Sequence, residues 1–219
     1  ERRSDLRLDG QEVLPLAMMS NATVVACNDN GPFPLYKTDE YGFNNLPGLW
    51  EGKKIQVVTI GDSFAAGYCV PTDKTVAANL RRFYPATVNL GISTIGPLGG
   101  LAIMREYVPA LKPRLILWFF YEGNDPRDLT EIGSRTPLLL KYLDPGYSQG
   151  LMSRRDDLDR ALGTWLAEQE REHLQKLETE RNDRLRRLVF ELFTLRRVRA
   201  FVFNYFLARA GLSDTAARI

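Results

Sequence analysis

Short apolar runs alternate with helical periodicity through the middle of the chain. Ile55–Ile60, Thr87–Leu90 and Leu115–Tyr121 each read as apolar throughout, the pattern of strands covered by helices on both faces. Between them, Val76, Ala77, Leu80 and Phe83 recur at helical spacing over Lys74–Phe83, with Thr72 or Asp73 as the cap. Leu101, Met104, Tyr107, Val108 and Leu111 do the same over Leu98–Leu111, and Pro113 stops that helix. Strand, helix, strand, helix, strand with short links predicts right-handed crossovers. The fold class is therefore α/β, a three-layer α/β/α doubly wound parallel sheet.

On either side the alternation fails. Residues 1–50 read as an irregular arm, rich in turn formers at 28–34, at Asn44-Asn45 and at Pro47-Gly48, with one short strand at Ala22–Cys27. Asp39–Asn44 reads as a surface turn pinned by Tyr41 and Phe43, with a pocket lining as the alternative. Gly133–Gly150 is a loop-rich connector, and from Ser153 everything reads helical, as Asp156–Glu180 and then Arg184–Arg209. The expected division is an arm over 1–50, a core over 51–132, and a connector with a helical insertion or appendage over 133–219.

A chain of 219 residues is long enough for one sizeable domain, and 44% hydrophobic with 26% charged residues excludes disordered and fibrous classes. A net charge of +2 gives a nucleic-acid partner no global support. Cys27 and Cys69 have no metal-ligand spacing. Two separate thiols are the plainer reading, and a disulfide in an oxidising compartment is the alternative. No run approaches the ~20 apolar residues of a membrane-spanning helix. The chain begins with Glu1 rather than Met and is expected to be part of something longer.

In a parallel sheet the loops after the strands share one edge, where such folds bind ligands. Here those loops are Gly61-Asp62-Ser63, Gly91-Ile92-Ser93 and Gly123-Asn124-Asp125, each a glycine with small polar groups. A serine held at the edge of a sheet is a candidate nucleophile. Asp62 reads as a group that fixes the turn by bonding backbone N–H groups. Taken in order, the three loops resemble the SGNH (GDSL-type) hydrolase family over about residues 52–128. The resemblance implies a flavodoxin-like five-stranded sheet and serine esterase or acyl hydrolase chemistry. It implies Ser63 as nucleophile, with the Gly91 N–H and the Asn124 side-chain amide as oxyanion donors. It implies no metal or organic cofactor, and a substrate that is an acyl or acetyl ester, esters on saccharides included.

Two positions depart from the family's pattern. Glu122 stands where the family has glycine, which adds a carboxylate beside the site. The family's Asp-x-x-His is not found. The one histidine, His173, follows Glu170 by three residues on a charged helix, where that spacing only puts two side chains on one face. The base and its aspartate are expected beyond residue 219. The resemblance leaves three readings open: an esterase, an acyltransferase that passes its acyl group to a cell-envelope glycan, and a glycan- or acyl-binding relative without a base. A bacterial periplasmic or envelope location goes with it by analogy. Arg184–Arg209 reads as a helix packed on the hydrolase core, or else as a basic amphipathic surface for an anionic membrane.

Overall fold

The computed structural model describes residues 6–27, 33–51, 54–93, 95–193 and 196–209. In chain order the elements are β1 (Arg7–Leu8), β2 (Gln11–Glu12), β3 (Thr23–Val25), β4 (Leu35–Lys37), β5 (Val57–Ile60), α1 (Ser63–Ala66) and α2 (Val76–Leu80). Then come β6 (Thr87–Asn89), α3 (Gly96–Leu111), β7 (Leu115–Trp118), α4 (Asp125–Arg135), α5 (Pro137–Leu140), α6 (Arg155–Phe193) and α7 (Arg196–Arg209). Two compact units divide the chain, Glu1–Trp165 and Leu166–Ile219.

The fold is α/β. In the first unit β5, β6 and β7 make a parallel sheet in the order β6-β5-β7. The chain leaves β5 for β6 on one side and then crosses through α3 to β7 on the other. Right-handed crossovers of opposite direction put α2 and α3 on opposite faces. Val58, Ile60, Val88 and Leu90 share a buried cluster with Ala102, Ile103 and Tyr107 of α3. Thr75 caps α2 by accepting from the Ala78 N–H (3.1 Å), and the preceding residues Thr72–Lys74 form a 3-10 turn. The helical stretch is thus split, with its cap later than the sequence suggests, because a serine or threonine hydroxyl satisfies the first N–H groups only from an extended backbone.

The third strand departs from expectation. β5 and β6 are buried throughout, but Leu115 and Trp118 of β7 are 48% and 42% exposed. β7 is an edge strand, paired to β5 alone among the described residues. An apolar run therefore does not ensure cover on both faces.

The described residues before position 51 contribute to the same core. Leu8, Val13, Leu16, Phe43 and Leu49 join its apolar cluster, and so do Leu138, Leu139 and Tyr142 from the connector. The Asp39–Asn44 segment is a buried turn instead of a surface one. The Asp39 carboxylate accepts from the Tyr41 and Phe43 N–H groups (2.9 Å each), the Asn45 amide and the Trp50 indole (2.7 Å each). Burial raises its pKa above the ordinary 3.8 in spite of these donors. Asn45 then covers the free edge of β6, its amide donating to the Asn89 carbonyl (2.9 Å) and accepting from the Asn89 N–H (2.8 Å). A side-chain amide here takes the place of a neighbouring strand.

The connector is also more ordered than its glycines and prolines suggest. The buried Glu106 carboxylate of α3 accepts from Tyr142 (2.6 Å), Ser148 (3.0 Å) and the N–H groups of Gln149 (2.5 Å) and Leu151 (2.9 Å). Arg155 at the start of α6 donates to the carbonyls of Tyr41 (2.9 Å) and Met18 (2.5 Å) and is paired with Asp159, which also holds Ser20. α6 runs unbroken through Arg181-Asn182-Asp183, where the sequence suggests a gap, because asparagine and aspartate cost a helix interior only tenths of a kcal/mol.

Cys27 and Cys69 form a disulfide, so the two-thiol reading is corrected. Nothing local brings them together: tertiary contact places their Cα atoms 4.9 Å apart across 42 residues of sequence. A loop of this length is constrained in the unfolded chain by roughly 4 kcal/mol. Replacing both cysteines with serine should lower unfolding stability by about 2–4 kcal/mol, read from urea unfolding, with a steeper slope because the uncrosslinked chain exposes more surface.

Asp159 gives a pH prediction. Burial works to raise its pKa, but Arg155 and the Ser20 hydroxyl and N–H prevail and hold it below 3.8. Its stabilisation is then complete above the unfolded value and is lost as pH falls through the lower folded one. Asp159→Asn should lower stability at pH 7 and flatten the loss of stability below about pH 4, measured by urea midpoints across the acid range.

Candidate functional site

The strand order reverses about β5, and open parallel α/β sheets bind ligands beside the carboxyl ends of their strands at such a reversal. Gly61-Asp62-Ser63 occupies the carboxyl end of β5. Gly61 lies where a Cβ would come within 3.0 Å of Ala65 and of the Phe119 backbone, so the turn is closed between α1 and the strand beside it. Asp62 is the N-cap of α1, its Oδ1 accepting from the Phe64 N–H at 2.9 Å, which is the turn-fixing role read from the sequence. Gly67 ends the helix in the left-handed region (φ 69°) with its N–H on the Phe64 carbonyl (3.2 Å). One helical turn is thus held between an acid cap and a glycine stop. Ser63 is its first residue, half-buried, and its N–H has no intrahelical acceptor.

The two flanking loops both reach α1. On the β6 side the Ile92 N–H donates to the Gly61 carbonyl (3.1 Å). A Cβ on Gly91 would sit 2.3 Å from the Ala66 nitrogen. Glycine at 91 is therefore required by the close approach of α1 itself. The Gly91 N–H donates to Asn89 Oδ1 at 2.9 Å, the same oxygen that accepts from Thr59 (3.0 Å). On the β7 side the Phe119 N–H donates to the Ile60 carbonyl (2.8 Å), and the Tyr121 ring lies 5.0 Å from that of Phe64. Tyr121 is then tied to Asp125, whose Oδ2 accepts its N–H at 2.8 Å.

Asn124 is turned toward α4, its Nδ2 donating to Asp128 at 2.9 Å, which leaves the second amide hydrogen for another acceptor. Several oxygens here are buried without a partner among the described residues: Asp62 Oδ2, Asn124 Oδ1 and Asp125 Oδ1. Unsatisfied buried acceptors ask for donors from a ligand, water or another protein segment. Glu122 is exposed, and His173 is an exposed position of α6 in the second unit.

Sequence reasoning missed the aromatic pair. Phe64 is 64% exposed directly beside Ser63, and with Tyr121 it forms an exposed apolar surface next to the serine. An apolar residue following the serine, where a surface turn would favour a polar one, was the available signal. Asn89, which holds the Gly91 N–H, was missed too, because a polar residue in a short strand gives no local sign of its partner.

Comparison with protein-family models, curated proteins and solved structures finds no match to this chain.

The packing at Gly91 makes a direct prediction. Gly91→Ala should cost about 2–3 kcal/mol or more by overpacking against the α1 backbone. Gly146→Ala, where a Cβ meets nothing closer than 3.6 Å, should change stability by less than about 0.5 kcal/mol. Thermal or urea unfolding of the two variants tests the contrast.

Proposed function

We propose that this protein is a serine ester hydrolase of the SGNH (GDSL-type) kind, built on a flavodoxin-like α/β/α sheet, and that it acts on acyl or acetyl esters, including esters carried on saccharides. The observation that carries the reading is the reversal of strand order about β5, with Ser63 at its end and a glycine or asparagine loop on each side. Ser63 Oγ attacks the ester carbonyl and gives up its proton to a base. The negative charge that develops on the carbonyl oxygen is met by the N–H groups of Ser63 and Gly91 and by the free amide hydrogen of Asn124. The alcohol leaves with the proton, and water then releases the acyl group from Ser63.

On this reading Asn89 Oδ1 shares the Gly91 N–H with the substrate oxygen, and the Phe64–Tyr121 surface takes the acyl chain. In the family that the chain resembles, the base is a histidine on the loop after the last strand, and the open edge of β7 is where a further strand would pair. The disulfide fits an oxidising compartment such as a bacterial periplasm.

A second reading has an observation of its own. The Gly91 N–H and one Asn124 amide hydrogen are already bonded within the protein. That suits a binding relative that keeps the site for an acylated glycan without cleaving it. An acyltransferase would use the same Ser63 intermediate with a sugar hydroxyl in place of water.

Hydrolysis of a short-chain p-nitrophenyl ester, by a protein that carries the proposed base, separates these readings. The hydrolase is expected to lose about 10³-fold or more with Ser63→Ala and little with His173→Ala. Equal rates for wild type and Ser63→Ala would sink the nucleophile assignment. Acylated product on addition of an acceptor sugar would move the reading to acyl transfer.

A further inference from the structure

Charge and exposed apolar surface are concentrated together in one stretch of the second unit. Residues 184–209 hold seven arginines and one glutamate, a net +6 in 26 residues, whereas the whole chain carries +2. The remaining 193 residues are therefore at −4. In the same stretch Phe201 is 73% exposed, and Phe203 and Phe206 are 64% exposed. Val202–Phe206 and Phe201–Tyr205 are i, i+4 pairs and Phe203–Phe206 an i, i+3 pair, so these side chains adjoin along α7. Leu185 and Leu188 extend the exposed apolar surface onto the end of α6. Among the described residues no helix is long and apolar enough to cross a membrane.

We propose that residues 184–209 lie on the surface of an anionic lipid bilayer. The phenylalanines of α7 enter the boundary between headgroups and acyl chains, and the arginines bond the lipid phosphates. Arg199 and Arg209, which stand among the aromatics near the two ends of α7, reach back to the headgroup level along their apolar stems. The charge selects this occupant. Two copies of a +6 stretch repel one another, while an anionic leaflet neutralises it. A nucleic acid would neutralise the arginines but offer the exposed phenylalanines no apolar phase to enter. The inference does not rest on the hydrolase reading.

Co-sedimentation of the full chain with vesicles is the test. Binding is expected to vesicles of phosphatidylcholine with about one-third phosphatidylglycerol, and much less to phosphatidylcholine alone. Arg186→Gln/Arg187→Gln/Arg199→Gln should weaken it about 10–100-fold, and Phe201→Ser/Phe203→Ser/Phe206→Ser about tenfold or more, with helical circular dichroism unchanged. Equal binding to both vesicle types, or undiminished binding by the phenylalanine variant, would overturn the proposal. So would failure to bind anionic vesicles, whether or not the protein self-associates or takes up nucleic acid.

Discussion

A central parallel strand has little tolerance for water on either face or along either edge, since it must bury two rows of side chains and pair both rows of backbone groups. β5 meets that demand fully: all its side chains are buried, α3 packs against it, and β6 and β7 bond its two edges. Everything else in the first unit follows from extending that protection outward. β6 needs a partner on its far side and finds it in the amide of Asn45, whose two bonds to Asn89 copy those of a strand. β7 lacks such a partner among the described residues, and its apolar side chains are correspondingly half in water.

Buried polar side chains, rather than regular secondary structure, tie the flanking segments to this frame. Asp39 closes the turn that presents Asn45, and Asn44 reaches the end of α1 by donating to the Ala66 carbonyl at 3.1 Å. Glu106 gathers four donors from the connector, and Arg155 with Asp159 fastens Met18, Ser20 and Tyr41. Each is a low-dielectric network in which losing one partner strands the others, so the irregular segments are held as firmly as the helices. The same logic bears on Ser63. Its helical turn is fixed from below by Asp62, from one side by the backbone contact of Gly91, and at its far end by Asn44 and the Cys27–Cys69 bond. The nucleophilic role proposed for Ser63 would draw on that immobility.

Much of this was legible in the residues. The three apolar runs are strands, Leu98–Leu111 is helical, and Asp62 caps the turn it was expected to fix, because these features depend on side chains within a few positions of one another. The networks were not legible. Asn45 and Asn89 lie 44 residues apart, and Leu14 and Gln149, which pair through both the oxygen and the nitrogen of the glutamine side-chain amide, lie 135 apart. An asparagine in a turn-rich arm carries the same local signal whether it faces water or a strand edge.

The sequence by itself determined the α/β alternation, the position of the glycine-acid-serine turn and the concentration of arginine and phenylalanine after residue 184. All three are set by local periodicity, turn chemistry and composition. The tertiary structure alone decided which strand is central, why residue 91 must be glycine, and that Cys27 meets Cys69. It also decided that Asp39 is buried and that β7 is half bare. These depend on which surfaces come to face each other once the sheet has formed, and no window of neighbouring residues contains that information.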